Sequence, residues 1–451
     1  MVGATLSRWT MSYFAAALVS LIAGQGLMAA GYGFPAASLA APETLLLVHL
    51  AALGWLSLLM CGALFQFVPV LVARPLHSDF LPLPTLVFLL AGLGSLLLGF
   101  LGLAGQNNLP LPFLPVGAIL LASGFGLALW NLGLTLWSGR PLPLPARFIV
   151  VGLFSVAATV TLGVIFAFVL GGVAASSPLL KVTGVGVPLH ALAGLGGWLT
   201  FTAMGVSYRL LAMFMLAPEP EGAGPRGVLY SGTLALTVLI VAGTLFICAD
   251  KDLVWVLGAA TLFGLAAFLL YERDIRRLYR ARKRRTIELN GRMAAVAYAD
   301  LAAVVILAVA LLAAGAFERN VGALVFLFSF GWLSGLGLAK LYKIVAFLTW
   351  LECYGPVLGK MPTPRVQDLV VERRAAPWFV LYHGAVWSAA ACLVADASAA
   401  FRAAAAVMLV ATIAIVVQLV RIRRLADVAA ASRLQDVVRR PALLFLALQN
   451  G

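Results

Sequence analysis

Charge is what this sequence lacks. Of its 451 residues, 17 are acidic and 31 are Lys or Arg, 11% in all, where a soluble domain carries roughly 25%. So little polar surface excludes a globule in water. Cysteine and histidine are equally sparse, at four each. Cys61, Cys248, Cys353 and Cys392 make no C-x-x-C pair and no Cys/His cluster. That pattern argues against a zinc site or a disulfide framework and for buried thiols acting as small hydrophobes. No nucleotide-binding loop and no nucleophile–base constellation occurs, so an ATP-driven pump or a hydrolase is not expected.

Apolar residues are abundant: they make up 63% of the chain, and the mean hydropathy is +1.04. They come in runs long enough to cross about 30 Å of hydrocarbon as helices, and short alternating barrel-type segments are absent. Spans are expected near residues 10–32, 44–72, 83–105, 111–137, 147–173, 186–216, 226–248, 252–271, 293–316, 321–353, 376–397 and 400–420. The first run has no strong basic leader and more spans follow it, so it reads as a retained helix rather than a signal peptide.

Twelve spans put alternate connections on opposite sides. One side receives Arg8, Arg74, Arg140, Arg147, Arg226, the run Arg273 to Arg292, Lys360 to Arg374, and the tail from Arg421 to Arg440. The other receives only Lys181, Lys251, Arg319 and Arg402. The positive-inside rule makes the first side cytoplasmic, with both termini. The net charge of +14 therefore reflects topology. The stretch RDIRRLYRARKRR reads as a topogenic loop on lipid headgroups rather than a nucleic-acid contact.

An internal repeat organises the chain. Gly54-Trp55, Gly197-Trp198 and Gly331-Trp332 stand in the second, sixth and tenth spans. Seven residues past each tryptophan is a small residue (Gly62, Gly205, Ala339), ten past it an aromatic one (Phe65, Tyr208, Tyr342), and eleven past it a polar one (Gln66, Arg209, Lys343). Residues seven apart share a helix face, where a small residue admits a neighbouring backbone. The aromatic–polar pair suits the headgroup region. The repeats run about 1–137, 147–271 and 293–420, with a basic loop at 272–292 and a basic tail at 421–451.

Two histidines fall in the outer third of these spans, His49 six residues before Trp55 and His190 eight before Trp198. Intramembrane histidine is costly, and neutral imidazole is the commonest metal ligand. In these features the sequence resembles subunit I of the haem–copper oxidases and nitric oxide reductases. That family has twelve helices in three pseudo-repeats of four, and its second, sixth and tenth helices bear haem and copper ligands. A histidine followed by glycine thirteen residues on, then proline seven beyond, matches His49, Gly62 and Pro69. His190 and Gly205 match the first histidine and the glycine, with Leu192 replacing the second histidine. Smaller haem- and copper-containing membrane proteins of the nitric oxide response look like a second relative. The resemblance implies a bacterial cytoplasmic membrane, with respiratory or haem-protein subunits as partners besides the lipid bilayer.

The departures bear on function. Leu324 and Phe326 stand where the family has His-x-His. Four histidines cannot supply the six ligands a complete oxidase needs, so no working terminal oxidase is expected. His49 and His190 could still hold haem or copper, or they could be interfacial remnants. Glu43 could serve as an entrance carboxylate. His383, with Asp300 and Tyr298, could form a second polar site: either a proton relay or substrate site, or one helix–helix hydrogen bond. Arg209, Lys340 and Lys343 could snorkel to headgroups or line a vestibule for an anion or haem propionate. His77 is assigned nothing. Three function classes follow: a non-catalytic haem- or copper-binding relative of oxidase subunit I, a transporter of a metal or small solute, and a scaffold or assembly subunit of a respiratory complex.

Overall fold

The computed structural model describes residues 7–107, 112–433 and 441–446. These are almost entirely helical; the sole β feature among them is an isolated bridge, Leu358 to Met361. Twelve helices are long and apolar enough to cross a membrane: α1 Thr10–Ala30, α2 Pro42–Val72, α3 Pro82–Leu103, α4 Phe113–Ser138, α5 Leu144–Leu170, α6 Val187–Met215, α7 Ala223–Cys248, α8 Val254–Arg280, α9 Leu289–Ala313, α10 Phe317–Val357, α11 Glu372–Val394 and α12 Ser398–Arg423. The chain is thus a multi-pass membrane protein. Large apolar side chains such as Phe154, Leu245, Trp255 and Ile306 point outward, as lipid rather than water requires.

The expected spans and the observed helices agree closely except at α8. There the helix continues nine residues past 271, so much of the expected loop 272–292 is helical. Its charges explain this. Glu272 and Arg276 pair at 3.6 Å and Asp274 and Arg277 at 4.0 Å along the helix. Arg277 and Arg280 also occupy the last turn, where cations complement the helix dipole. Cys248 is exposed at the end of α7, whereas Cys61 and Cys353 are buried.

The chain divides into two compact units: residues 63–286 form the body of one, and residues 6–62 with 287–451 the other. In the first unit, glycines set the closest helix crossings. A Cβ on Gly92 of α3 would lie 2.8 Å from the Leu121 nitrogen of α4, and one on Gly117 of α4 would lie 2.8 Å from the Leu96 nitrogen. Backbones can approach this closely only where side chains are absent. Lys181, between α5 and α6, meets Asp250, between α7 and α8, at 2.6 Å.

In the second unit α1 packs on α12 and on the start of α2. Arg319, in the first turn of α10, pairs with Asp396, before α12. At the opposite end of these helices the segment 441–446 lies against the start of α1: the Leu446 N–H donates to the Arg8 carbonyl at 2.7 Å, and Ser12 donates to the Leu444 carbonyl. Past α12, Asp427 accepts from Arg421 at 2.6 Å and from Arg374 of α11 at 2.8 Å. Hydrogen bonding by Arg421 leads the causes that hold its carboxyl below the usual carboxylate value of 3.8, with Arg374 adding to it. A depressed folded-state value means that this tether contributes stability above pH 3.8 and loses it as pH falls through the lower folded value. Proteolysis after residue 423 is therefore expected to stay constant from pH 7 to about pH 4 and to rise only below it. A rise at pH 5–6 would rule out Asp427 as the tether.

Candidate functional site

Each Gly-Trp pair lies in a π-helical stretch: Leu50–Ser57, Ala193–Phe201 and Leu327–Ser334. Each stretch begins five residues before its tryptophan, at Leu50, Ala193 and Leu327. A π turn accommodates an extra residue and rotates the rest of the helix against the regular register, and such turns concentrate at functional sites. The two glycines among the repeat's small residues meet the helix just before their own. A Cβ on Gly62 would lie 2.6 Å from Tyr13 of α1, and one on Gly205 would lie 2.5 Å from Phe148 of α5. The glycines beside the tryptophans behave alike: Gly197 faces Ser155 of α5 and Gly331 faces Asp300 of α9.

The π stretch of α10 sits at the centre of a polar cluster. Ser334 donates to the Ser329 carbonyl five residues back at 2.7 Å and accepts the indole N–H of Trp55, from the π stretch of α2, at 2.8 Å. On the other side stands Asp300, 2% exposed. One of its oxygens lies 3.0 Å from Nδ1 of His383 on α11, and the other accepts Trp387 Nε1–H at 2.8 Å. His383 is 6% exposed, and its Nε2 is buried with no hydrogen-bond partner among the described residues. Gly335 makes the room: a Cβ there would lie 2.7 Å from His383 Cε1. Tyr382 donates to the Phe330 carbonyl at 2.9 Å, satisfying an acceptor within the widened turn.

A carboxylate and an imidazole buried side by side in hydrocarbon are costly unless hydrogen-bonded, and here Asp300 meets both His383 and Trp387.

The structure brings Asp300 and His383 into direct contact. Tyr298 packs instead on Trp332 of the π stretch, with ring centroids 5.3 Å apart. Trp387 went unrecognised in the sequence, although it follows His383 by four residues and so shares its helix face.

The remaining sequence-derived residues are dispersed. His49 belongs to one compact unit and His190 to the other. His49 Nδ1 donates to the Leu45 carbonyl at 2.7 Å, and His190 Nδ1 donates to the Thr159 carbonyl at 3.0 Å. Gly163 of α5 lies 3.2 Å, measured from a built Cβ, from the His190 ring. Glu43 stands in the first turn of α2. Arg209 pairs with Glu219 in the first unit, and Lys343 pairs with Glu288 at 2.6 Å in the second. The Lys343 and Glu288 side chains are only 12% and 15% exposed, so Lys343 ends on a carboxylate rather than among headgroups. Lys340 is buried, and its Nζ has no hydrogen-bond partner among the described residues. Leu324 and Phe326 are buried apolar residues.

No group of three or more His, Cys, Asp or Glu side chains that could hold a metal ion occurs among the described residues. Compared with known proteins, the sequence matches no family model and no curated protein.

Proposed function

We propose that this chain is a membrane carrier whose working group is the Asp300–His383 pair, moving protons or a small cationic solute coupled to them. The observation that carries this reading is the unpartnered His383 Nε2, buried beside a carboxylate that already accepts two N–H donors. Buried intramembrane ionisable groups mark ion or proton pathways by default.

The scaffold in this proposal is oxidase-like: three parallel pseudo-repeats of four helices with both termini cytoplasmic. The shared offset of the π stretches from the three tryptophans supports the repeat. The pairs Lys181–Asp250 and Arg319–Asp396, each joining residues of the sparsely charged side, support the alternation.

Proteoliposomes with a pH-sensitive dye inside test the reading. Under an imposed pH gradient the wild type is expected to equilibrate at least tenfold faster than empty vesicles. His383→Gln, which keeps a donor toward Asp300 but has no titrating nitrogen, is expected to fall to the empty-vesicle rate. Equal rates for wild type and variant would sink the proposal.

A second reading rests on His49 and His190. Each imidazole turns Nδ1–H to a backbone carbonyl, the contact that orients metal- and haem-binding histidines. We propose that either can supply an axial ligand to haem or bind copper, giving a non-catalytic oxidase relative in a respiratory or nitrogen-oxide setting. Reduced and oxidised absorption spectra with metal analysis decide it. A Soret band lost in His49→Ala or His190→Ala supports the reading, and a colourless, metal-free protein ends it.

A further inference from the structure

We propose that the arginine-bearing end of α12 binds an anionic phospholipid, one acyl chain lying along the helix with the phosphate on Arg424 and Arg421. A groove of about 320 Å³ runs there, lined by Ile413, Val416, Val417 and Val420 and closed at one end by Arg421 and Arg424. Ile413, Val417, Val420 and Arg424 follow one another at helical spacing, so three aliphatic side chains lead along one face to a guanidinium. The aliphatic three are 43%, 48% and 38% exposed. From Ile413 to Arg424 the helix rises about 16 Å, close to one leaflet's half of a roughly 30 Å hydrocarbon core. The stripe therefore ends where headgroups begin.

Charge selects an anionic occupant over a zwitterionic one. Arg421 and Arg374 share a single carboxylate, Asp427. Arg424 is exposed and has no ion-pair partner among the described residues. Arg421, which shares its carboxylate with Arg374, and the exposed Arg424 thus leave an excess of positive charge at the end of the apolar groove. An acyl chain ending in a phosphate satisfies both the valines and the excess positive charge.

Native mass spectrometry of the full-length protein, titrated with phosphatidylglycerol or phosphatidylcholine, tests this. Phosphatidylglycerol is expected to bind at least fivefold more tightly. Arg424→Ala removes a side chain with no structural partner and is expected to weaken phosphatidylglycerol about fivefold, the effect of one basic residue at an anionic surface. Val417→Trp fills the groove and is expected to weaken both lipids, with the unfolding temperature of each variant unchanged. Equal binding of the two lipids, or phosphatidylglycerol binding unaltered in both variants, would overturn the proposal. A changed monomer–dimer ratio in Val417→Trp with lipid binding intact would overturn it too, and would mark the face as an interface between copies.

Discussion

Arg423→Ala is expected to destabilise the protein by about 3–5 kcal/mol, the cost of breaking a buried ion pair from one side. Arg423 and Glu352 meet at 2.8 Å with side chains only 5% and 7% exposed. The same guanidinium donates to Thr349 at 3.0 Å and to the Ala442 carbonyl. It thereby ties α12 to α10 and to the segment that runs back to α1. Removing it takes the guanidinium from the buried Glu352 carboxylate and loses one of the contacts that hold residues 441–446. Replacing both partners with apolar residues of similar volume, as in Arg423→Met with Glu352→Leu, is expected to recover most of the loss. Buried pairs contribute little net stability once the desolvation of both charges is counted. Unfolding in detergent, followed by tryptophan fluorescence, checks both. If the double variant is as unstable as the single, the interaction with Ala442 rather than the charge pair carries the effect.

Asp300→Ala is expected to cost about 1–3 kcal/mol, chiefly from the buried His383 donor that loses its acceptor, with the 41% exposed Trp387 adding less. His383 Nδ1 and Trp387 Nε1 are those donors. That loss exceeds the roughly 0.6 kcal/mol average for a hydrogen bond between membrane helices, because a carboxylate bonded twice is removed while His383 stays buried. Asp300→Asn keeps an acceptor for Trp387, so a smaller loss is expected. Transport separates from stability here: Asp300→Asn should fold yet equilibrate protons no faster than empty vesicles, since its amide cannot balance an imidazolium. A folded Asp300→Asn with wild-type flux would show that the pair only joins helices. A stability loss under ~0.5 kcal/mol in Asp300→Ala would mean that water reaches the site.

Much of this protein was legible along its chain. Hydropathy placed the twelve helices, because a spanning helix must satisfy its backbone internally and present apolar side chains for about twenty residues. Aligning the tryptophans singled out α2, α6 and α10, the helices whose π stretches hold those Gly-Trp pairs. His383 and Asp300 were suspected as partners because ionisable groups at similar depth have few other recourses in hydrocarbon.

Tertiary structure decided the rest. Whether Lys343 reaches headgroups or a carboxylate depends on Glu288, 55 positions away in the sequence, and no periodicity reports that distance. Arg423 and Glu352 read as two ordinary helix-end charges until α10 and α12 are side by side. The π stretches were invisible because the Gly-Trp pairs that mark them fit a regular helix equally well. Only the backbone of the folded helices shows the widened turns. Composition and pattern thus determined how many helices there are and which of them carry polar residues. Which polar residues touch was left to helix packing, because long-range contacts between side chains leave no periodic trace in the chain.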